Sequence, residues 1–277
     1  MNYSRYLKQL LSFLRINYII SILLAIVLLT LLMAGFRILT SEEEYVYAKV
    51  KVSQGYWWAN TQKPNIWYAR SIQKGVVEQS ISGKPNAEII SVQYYPFWGS
   101  DQYDVYMIVR LSVSHNEKTN KYTYKRSILG ISSPIDFEFP TTVISGTVMD
   151  ISDEPFKEEY SEKIITFEKK YAAPWEYDAI EIGDTYSNGE GTVVEILDKG
   201  RTNSFAAYGG AGNNYQVESA PVQNIVVTAR IKVQETDGQY IFGEEQVLRI
   251  GKTVNMLTNN FVFDQYTLSS IDSVDNK

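Results

Sequence analysis

The chain contains one histidine and no cysteine. Any scheme that pairs a nucleophile with an imidazole base must therefore begin at His115, because a Ser-His-Asp arrangement has no other ring to use. His115 opens the run His115-Asn116-Glu117-Lys118-Thr119-Asn120, which lies between two alternating segments and reads as a charged hairpin turn. A solvated side chain is the expectation there, and no catalytic role is assigned to it. The lack of cysteine excludes disulfides, thiolate metal sites and thiol nucleophiles, and a single histidine does not make a zinc set. No metal or other cofactor is expected.

Carboxylates are more numerous. Asp101 and Asp104 stand beside aromatic residues, and Glu158 and Glu159 stand in a charge-rich stretch. A glycosidase needs two carboxylates facing one another across a cleft, and nothing in the spacing of these four assembles such a pair. No Asp-x-Asp-x-Asp-Gly calcium loop occurs. Gly209-Gly210-Ala211-Gly212-Asn213-Asn214 has the glycines of a phosphate loop but neither Lys-Ser or Lys-Thr nor a helix after it, and reads as part of a flexible loop, Lys199–Gln216. The net charge of −6, with no basic stripe, argues against a nucleic-acid partner. The chain is not expected to be an enzyme.

What remains is aromatic. Tyr94-Tyr95-Pro96-Phe97-Trp98-Gly99 follows a strand, and Phe205 and Tyr208 lie in the Lys199–Gln216 loop. Tyr94, Tyr95, Phe97, Trp98, Phe205 and Tyr208 are thus the candidate partner-binding residues, on loops that suit a protein partner or a carbohydrate. The competing reading folds these rings back as lids on the core. Tyr56-Trp57-Trp58 and Trp67-Tyr68 form a third cluster, assigned to core packing, with a membrane-interface belt as the alternative.

The elements that carry these residues begin with a membrane segment. No charged residue occurs from Ile16 to Phe36, and a span of about 20 apolar residues is what a bilayer core demands. Residues 16–39 are read as a transmembrane helix in contact with the lipid bilayer, after a cytoplasmic tail, 1–15. A cleaved signal peptide would show a shorter apolar core and small residues at an A-x-A-like site, which Leu32 spoils. Arg5, Lys8 and Arg15 precede the span and only Arg37 closely follows it, which places the N-terminus in the cytoplasm and the rest outside. Tyr3 to Leu14 form an interfacial lead-in or extend the same helix.

Beyond the span the pattern is mainly β: two tandem, duplicated, antiparallel β-barrel-like domains, 41–152 and 173–277, joined by an amphipathic connector helix, 153–172. The helix rests on Phe156, Tyr160, Ile164 and Phe167 at spacings of three or four, with Asp153 as N-cap and Pro155 in the first turn. The duplication rests on ordered matches. Ser71-Ile72-Gln73-Lys74-Gly75 corresponds to Ala179-Ile180-Glu181-Ile182-Gly183, and Val109-Arg110-Leu111 to Ala229-Arg230-Ile231. Tyr122-Thr123-Tyr124 corresponds to Tyr240-Ile241-Phe242. Asp237-Gly238 marks a hairpin turn in the second half.

The Gly183-Asp184 turn, the strand Gly191-Thr192-Val193-Val194-Glu195-Ile196 and the ending Phe261-Val262-Phe263 carry a resemblance over about the last 100 residues. They resemble a bacterial family of unknown function, built from one N-terminal transmembrane helix and a small β-rich extracytoplasmic domain. The resemblance implies architecture and brings no activity. The expected function is that of a single-span, extracytoplasmic interaction or scaffold protein of the cell envelope, with a protein partner there. The alternatives are an accessory subunit of a secretion, conjugation or transport complex and a carbohydrate-active envelope enzyme.

Overall fold

The computed structural model describes residues 18–40, 44–53, 63–80, 83–97, 102–157, 159–208 and 218–274. They fall into two units, Met1–Glu44 and Tyr45–Lys277.

In the first unit, helix α1 covers Tyr18–Thr40, 23 residues. Apart from Ser21 and Thr30, its described side chains are apolar, with Ile22, Leu23, Leu24 and Ile26 each more than half exposed. A helix with no polar face has no stripe to bury against a globular core. Judged on described side chains alone, residues 19 and 21–33 here, no helix is long and apolar enough to cross a membrane.

The second unit is built almost wholly of antiparallel strands, as β-branched and aromatic alternation demands. In its first half the order is β1 (Glu44–Ser53), α2 (Ile66–Ser71), β2 (Val77–Gln79), β3 (Pro85–Pro96), β4 (Tyr103–Asn116), β5 (Lys121–Tyr124), β6 (Ser127–Leu129), β7 (Pro134–Glu138) and β8 (Val143–Ser152). The second half runs β9 (Tyr160–Ala172), α3 (Pro174–Ala179), β10 (Thr185–Ser187), β11 (Thr192–Tyr208), β12 (Glu218–Thr236), β13 (Gln239–Phe242) and β14 (Gln246–Val247). It ends in β15 (Met256–Leu257), β16 (Val262–Phe263) and β17 (Thr267–Ser273).

The halves share one topology. The first sheet contains the order β2-β3-β4-β1-β8, with β7 beyond β8, and the second the order β10-β11-β12-β9-β17, with β13 and β14 extending from β12, so the first strand of each half is threaded between its fourth and its last. The match extends to single residues. Gly75 and Gly183 sit at φ +80° and +85°, a region that admits glycine without strain. Their N–H groups donate to the carbonyls of Ile89 and Ile196 at 2.7 and 2.8 Å. A bulge follows at once in both β3 and β11, between Ile89 and Ser91 and between Ile196 and Asp198. Glu88 faces Arg110 across the ladder, and Glu195 faces Arg230. Tyr124 and Phe242 are the buried ends of equivalent hairpins. These pairings agree with the matches read from the sequence.

Three expectations are corrected. Residues 160–172 of the expected 153–172 connector are a strand, β9, paired with β12 from Tyr160↔Gln234 to Ala172↔Gln223. Phe156, Tyr160, Ile164 and Phe167 carry helical spacing, but burial alternates with period two through Lys163, Ile165 and Phe167. Ile164-Ile165-Thr166-Phe167 is β-branched and aromatic, and a sheet position between β12 and β17 outweighs an isolated amphipathic turn. Lys163 is accommodated by laying its ammonium 4.6 Å from the Tyr240 ring. The second repeat thus begins at β9, ahead of the expected boundary at 173. Second, the expected Lys199–Gln216 loop is ladder as far as Tyr208, with Lys199↔Val227 through Tyr208↔Glu218 paired. Residues 209–217 lie outside those described. Its Gly, Asn and Ser residues suggested a loop, but ladder bonds are made by the backbone and tolerate them. Third, Tyr94, Tyr95 and Pro96 belong to β3 rather than to a loop.

Candidate functional site

The two repeats are not separate beads. Residues 45–277 form one compact unit, and the aromatic end of β3 lies in the seam between its halves. The β10–β11 turn of the second repeat receives it. Tyr94 N–H donates to the Asn188 carbonyl at 2.9 Å, and Tyr186 Oη donates to the Tyr94 carbonyl at 2.8 Å. Val92 N–H donates to Glu190 Oε1 at 3.2 Å. Gly189, at φ +102°, makes this approach feasible: a Cβ there would stand 2.7 Å from the Tyr94 ring and 3.0 Å from the Val92 carbonyl oxygen.

Tyr95 goes deeper. Its ring packs edge-on to Phe242, centroids 5.5 Å apart, and touches the face of Gly243. Its hydroxyl donates to Gln93 Oε1 and accepts from Asn188 Nδ2. Such a buried aromatic pair contributes about 0.5–1.5 kcal/mol beyond the area it buries. Beside it the β13–β14 turn carries two carboxylates onto the first sheet. Lys49 meets Glu244 at 2.7 Å and Lys51 meets Glu245 at 2.6 Å. Tyr160 Oη and Gln234 Nε2 also reach Glu244 Oε1, at 3.3 and 2.9 Å. Tyr106 lies under this turn, and burial, with Asp104, Glu245 and Glu244 adding, holds its phenol well above the usual tyrosine value. Burial does the same for Tyr186.

At the mouth of the seam is a pocket of about 190 Å³, walled by Phe97, Tyr95, Tyr106 and Phe242. Lys63 Nζ sits 3.6 Å from the centroid of the Phe97 ring and 2.5 Å from Asp104 Oδ1, which Lys51 also approaches at 3.3 Å. The pocket can hold a cation–π contact and a matched charge network. A second cleft, of about 300 Å³, opens beside Gln93, Tyr160, Glu190 and Lys232.

The six candidate residues are therefore divided. Tyr94 is half-buried and Tyr95 buried, and both make contacts across the seam. Phe97 is half-buried at the pocket mouth. Trp98 lies outside the described residues. Phe205 and Tyr208 belong to the β11–β12 ladder. They lie on the second-repeat strand equivalent to β3. Trp67, of the third cluster, is exposed on α2, while Tyr68 donates to the Val143 carbonyl at 2.9 Å; Tyr56, Trp57 and Trp58 lie outside the described residues.

Asp104 is engaged by Lys63 and Lys51, and Lys51 also binds Glu245, so these two carboxylates are bridged by a shared ammonium; Asp101 and Glu158 are not among the described residues. His115 stacks on Tyr122 at 4.7 Å, with its Nε2 2.9 Å from Asn120 Oδ1, at the exposed end of β4. Among the described residues no group of three His, Asp or Glu side chains could hold a metal ion. Reading from the sequence missed the receiving side of the seam: Tyr186, Asn188, Gly189, Gly243 and Glu244. Gly189 was visible only as part of a Gly-rich corner, and its partner ring is nearly a hundred positions away. Comparison with family models, with curated proteins and with solved structures gave no match.

Proposed function

We propose that the chain is a non-enzymatic interaction or scaffold protein of the cell envelope. It is anchored by one helix and displays its paired β repeats outside the cytoplasm. The seam carries this reading. The charged residues of the seam, Lys49, Lys51, Glu244 and Glu245, are spent on clamping one repeat to the other, and Asp104 is held by Lys51 and Lys63 beside them. A clamped pair of sheets gives a rigid platform, the form in which surface strands and loops recognise partners. The anchor rests on the charge-free run Ile16–Phe36 and on the 23-residue helix α1, about 34 Å long at 1.5 Å per residue, against a hydrocarbon core of about 30 Å. The lysine and arginine excess before the span supports the orientation. Membership of the β-rich extracytoplasmic family is part of the same proposal.

Alkaline extraction of membranes carrying the full chain tests the anchor. Retention in the membrane pellet is expected. Release into the supernatant, together with recovery of the chain from cytosol without detergent, would remove the anchor from the reading.

A further inference from the structure

The clamp does not use every charge near the seam. The cleft of about 300 Å³ is walled by Ser91 and Gln93 of the first repeat and by Tyr160, Glu190 and Lys232 of the second. Strand alternation sets these walls. Ser91 and Gln93 share one face of β3, and Lys232 shares one face of β12 with Gln234. Part of the wall is fixed by the seam itself. Gln93 is 5% exposed; its Nε2 donates to Tyr160 Oη at 3.0 Å, and its Oε1 accepts from Tyr95 Oη at 3.1 Å.

The two charges of the cleft are left open. Glu190 is anchored through Oε1, which accepts from the Val92 N–H, while Lys74 comes only within 4.0 Å of Oε2. Lys232 is half-buried, and among the described residues its ammonium meets no carboxylate and no other acceptor. Its neighbour across the β12–β9 ladder, Glu162, lies 3.7 Å from Arg230 Nε instead. Glu190 and Lys232 thus line one cleft with opposite charges and form no ion pair with each other. The fold does not demand the cation either. Glu88 and Arg110 match Glu195 and Arg230 in the two ladders, and the same register sets Ser112 of the first repeat against Lys232. The architecture is therefore built once without a charge at that position.

The pair of charges selects a ligand. A simple anion would satisfy Lys232 and be set against Glu190. A simple cation would satisfy Glu190 and face both Lys232 and Lys74. A molecule that carries both signs satisfies both walls, and like-charge repulsion rejects the other two. The volume, about 300 Å³, stands at the small end of pockets that take organic molecules. We propose that this cleft binds a small zwitterion of amino-acid size, its carboxylate on Lys232 and its ammonium on Glu190 Oε2. Such a ligand touches both repeats and ties the seam, as ligands at domain interfaces do. The site is independent of the membrane topology, so the two can fail separately.

Isothermal titration of the full chain in detergent micelles tests the site. The probes are the common L-amino acids one at a time and, for any that binds, its analogues lacking the amine or the carboxylate; glucuronate stands for the sugar acids. At least one amino acid is expected to bind at a single site with a Kd of about 1 mM or tighter, and removing either charged group from it should weaken binding about tenfold or more. Lys232→Met should abolish binding and Lys232→Arg should retain it. Glu190→Gln keeps the acceptor for the Val92 N–H while removing the charge. It should weaken the amino acid about tenfold and leave its amine-free analogue no weaker. The analogue series needs no substitution, so misfolding of a variant does not remove the test. Three results would each overturn the site: no amino acid binding below about 10 mM, undiminished binding to Lys232→Met, or glucuronate or an amine-free analogue binding as tightly as the best amino acid.

Discussion

Lys49 Nζ lies 2.7 Å from Glu244 Oε2, joining two residues 195 positions apart and leaving the Glu244 side chain 5% exposed. A carboxylate buried to this degree depends on its partner. Removing one member of a buried pair leaves an uncompensated charge and costs about 3–5 kcal/mol, whereas replacing both with neutral groups costs far less. Lys49→Met should therefore destabilise residues 45–277 by several kcal/mol in urea unfolding. Lys49→Met with Glu244→Gln should recover most of that loss. If the double variant is as unstable as the single one, the pair is not the clamp described above.

Gly189 and Gly183 separate steric fit from backbone strain. Both have positive φ, but a Cβ at Gly183 meets nothing within 4 Å, while one at Gly189 collides with Tyr94 and the Val92 carbonyl. Gly183→Ala should cost about 1 kcal/mol, the price of the left-handed backbone alone. Gly189→Ala should cost more and should open the seam, making Tyr94 and Tyr95 more accessible to tyrosine-directed iodination. Equal losses with no change in labelling would mean that the turn does not receive β3 as described.

The correspondence between the two halves was legible where it depends on local pattern. Gly75 and Gly183, Arg110 and Arg230, and Tyr124 and Phe242 could be matched by eye because turns and alternation repeat along the chain. β9 was hidden because Tyr160, Ile164 and Phe167 satisfy a helical spacing and a strand alternation at once, and only the flanking β12 and β17 decide between them. The seam was hidden for a different reason. Tyr95 and Asn188, or Lys49 and Glu244, meet through tertiary packing, and no short-range pattern records which polar residue in one repeat will satisfy a ring in the other.

Equivalent cross-strand pairs should contribute equally. Arg110 meets Glu88 at 2.5 Å and Arg230 meets Glu195 at 2.6 Å, each partly exposed. Exposed cross-strand pairs are worth about 0.2–1 kcal/mol. Double-mutant cycles to alanine should give coupling energies within that range, the same within error, and smaller at high salt. A coupling several times larger in one repeat would show that the two sheets are not equivalent there.

Buried tyrosines should set the alkaline limit. Tyr106, Tyr124, Tyr186 and Tyr266 are all held above the ordinary value of 10.0, burial being the largest cause in each. A raised folded value means that the folded state keeps a proton the unfolded state loses. The resulting stability is present in full below about pH 10 and is lost as pH rises towards the folded values. Unfolding monitored by circular dichroism should set in above pH 10, together with the tyrosinate absorbance. Tyr106→Phe should shift that onset to higher pH. An onset unchanged by the substitution would assign alkaline unfolding to other groups.

The most direct test of the scaffold reading is protease accessibility of the full chain, tagged at its C-terminus, in intact spheroplasts. The reading predicts that external protease removes the tag and degrades the β repeats while a cytoplasmic marker survives. Protection of the tag until the cells are lysed would place the repeats inside and contradict an envelope-displayed scaffold.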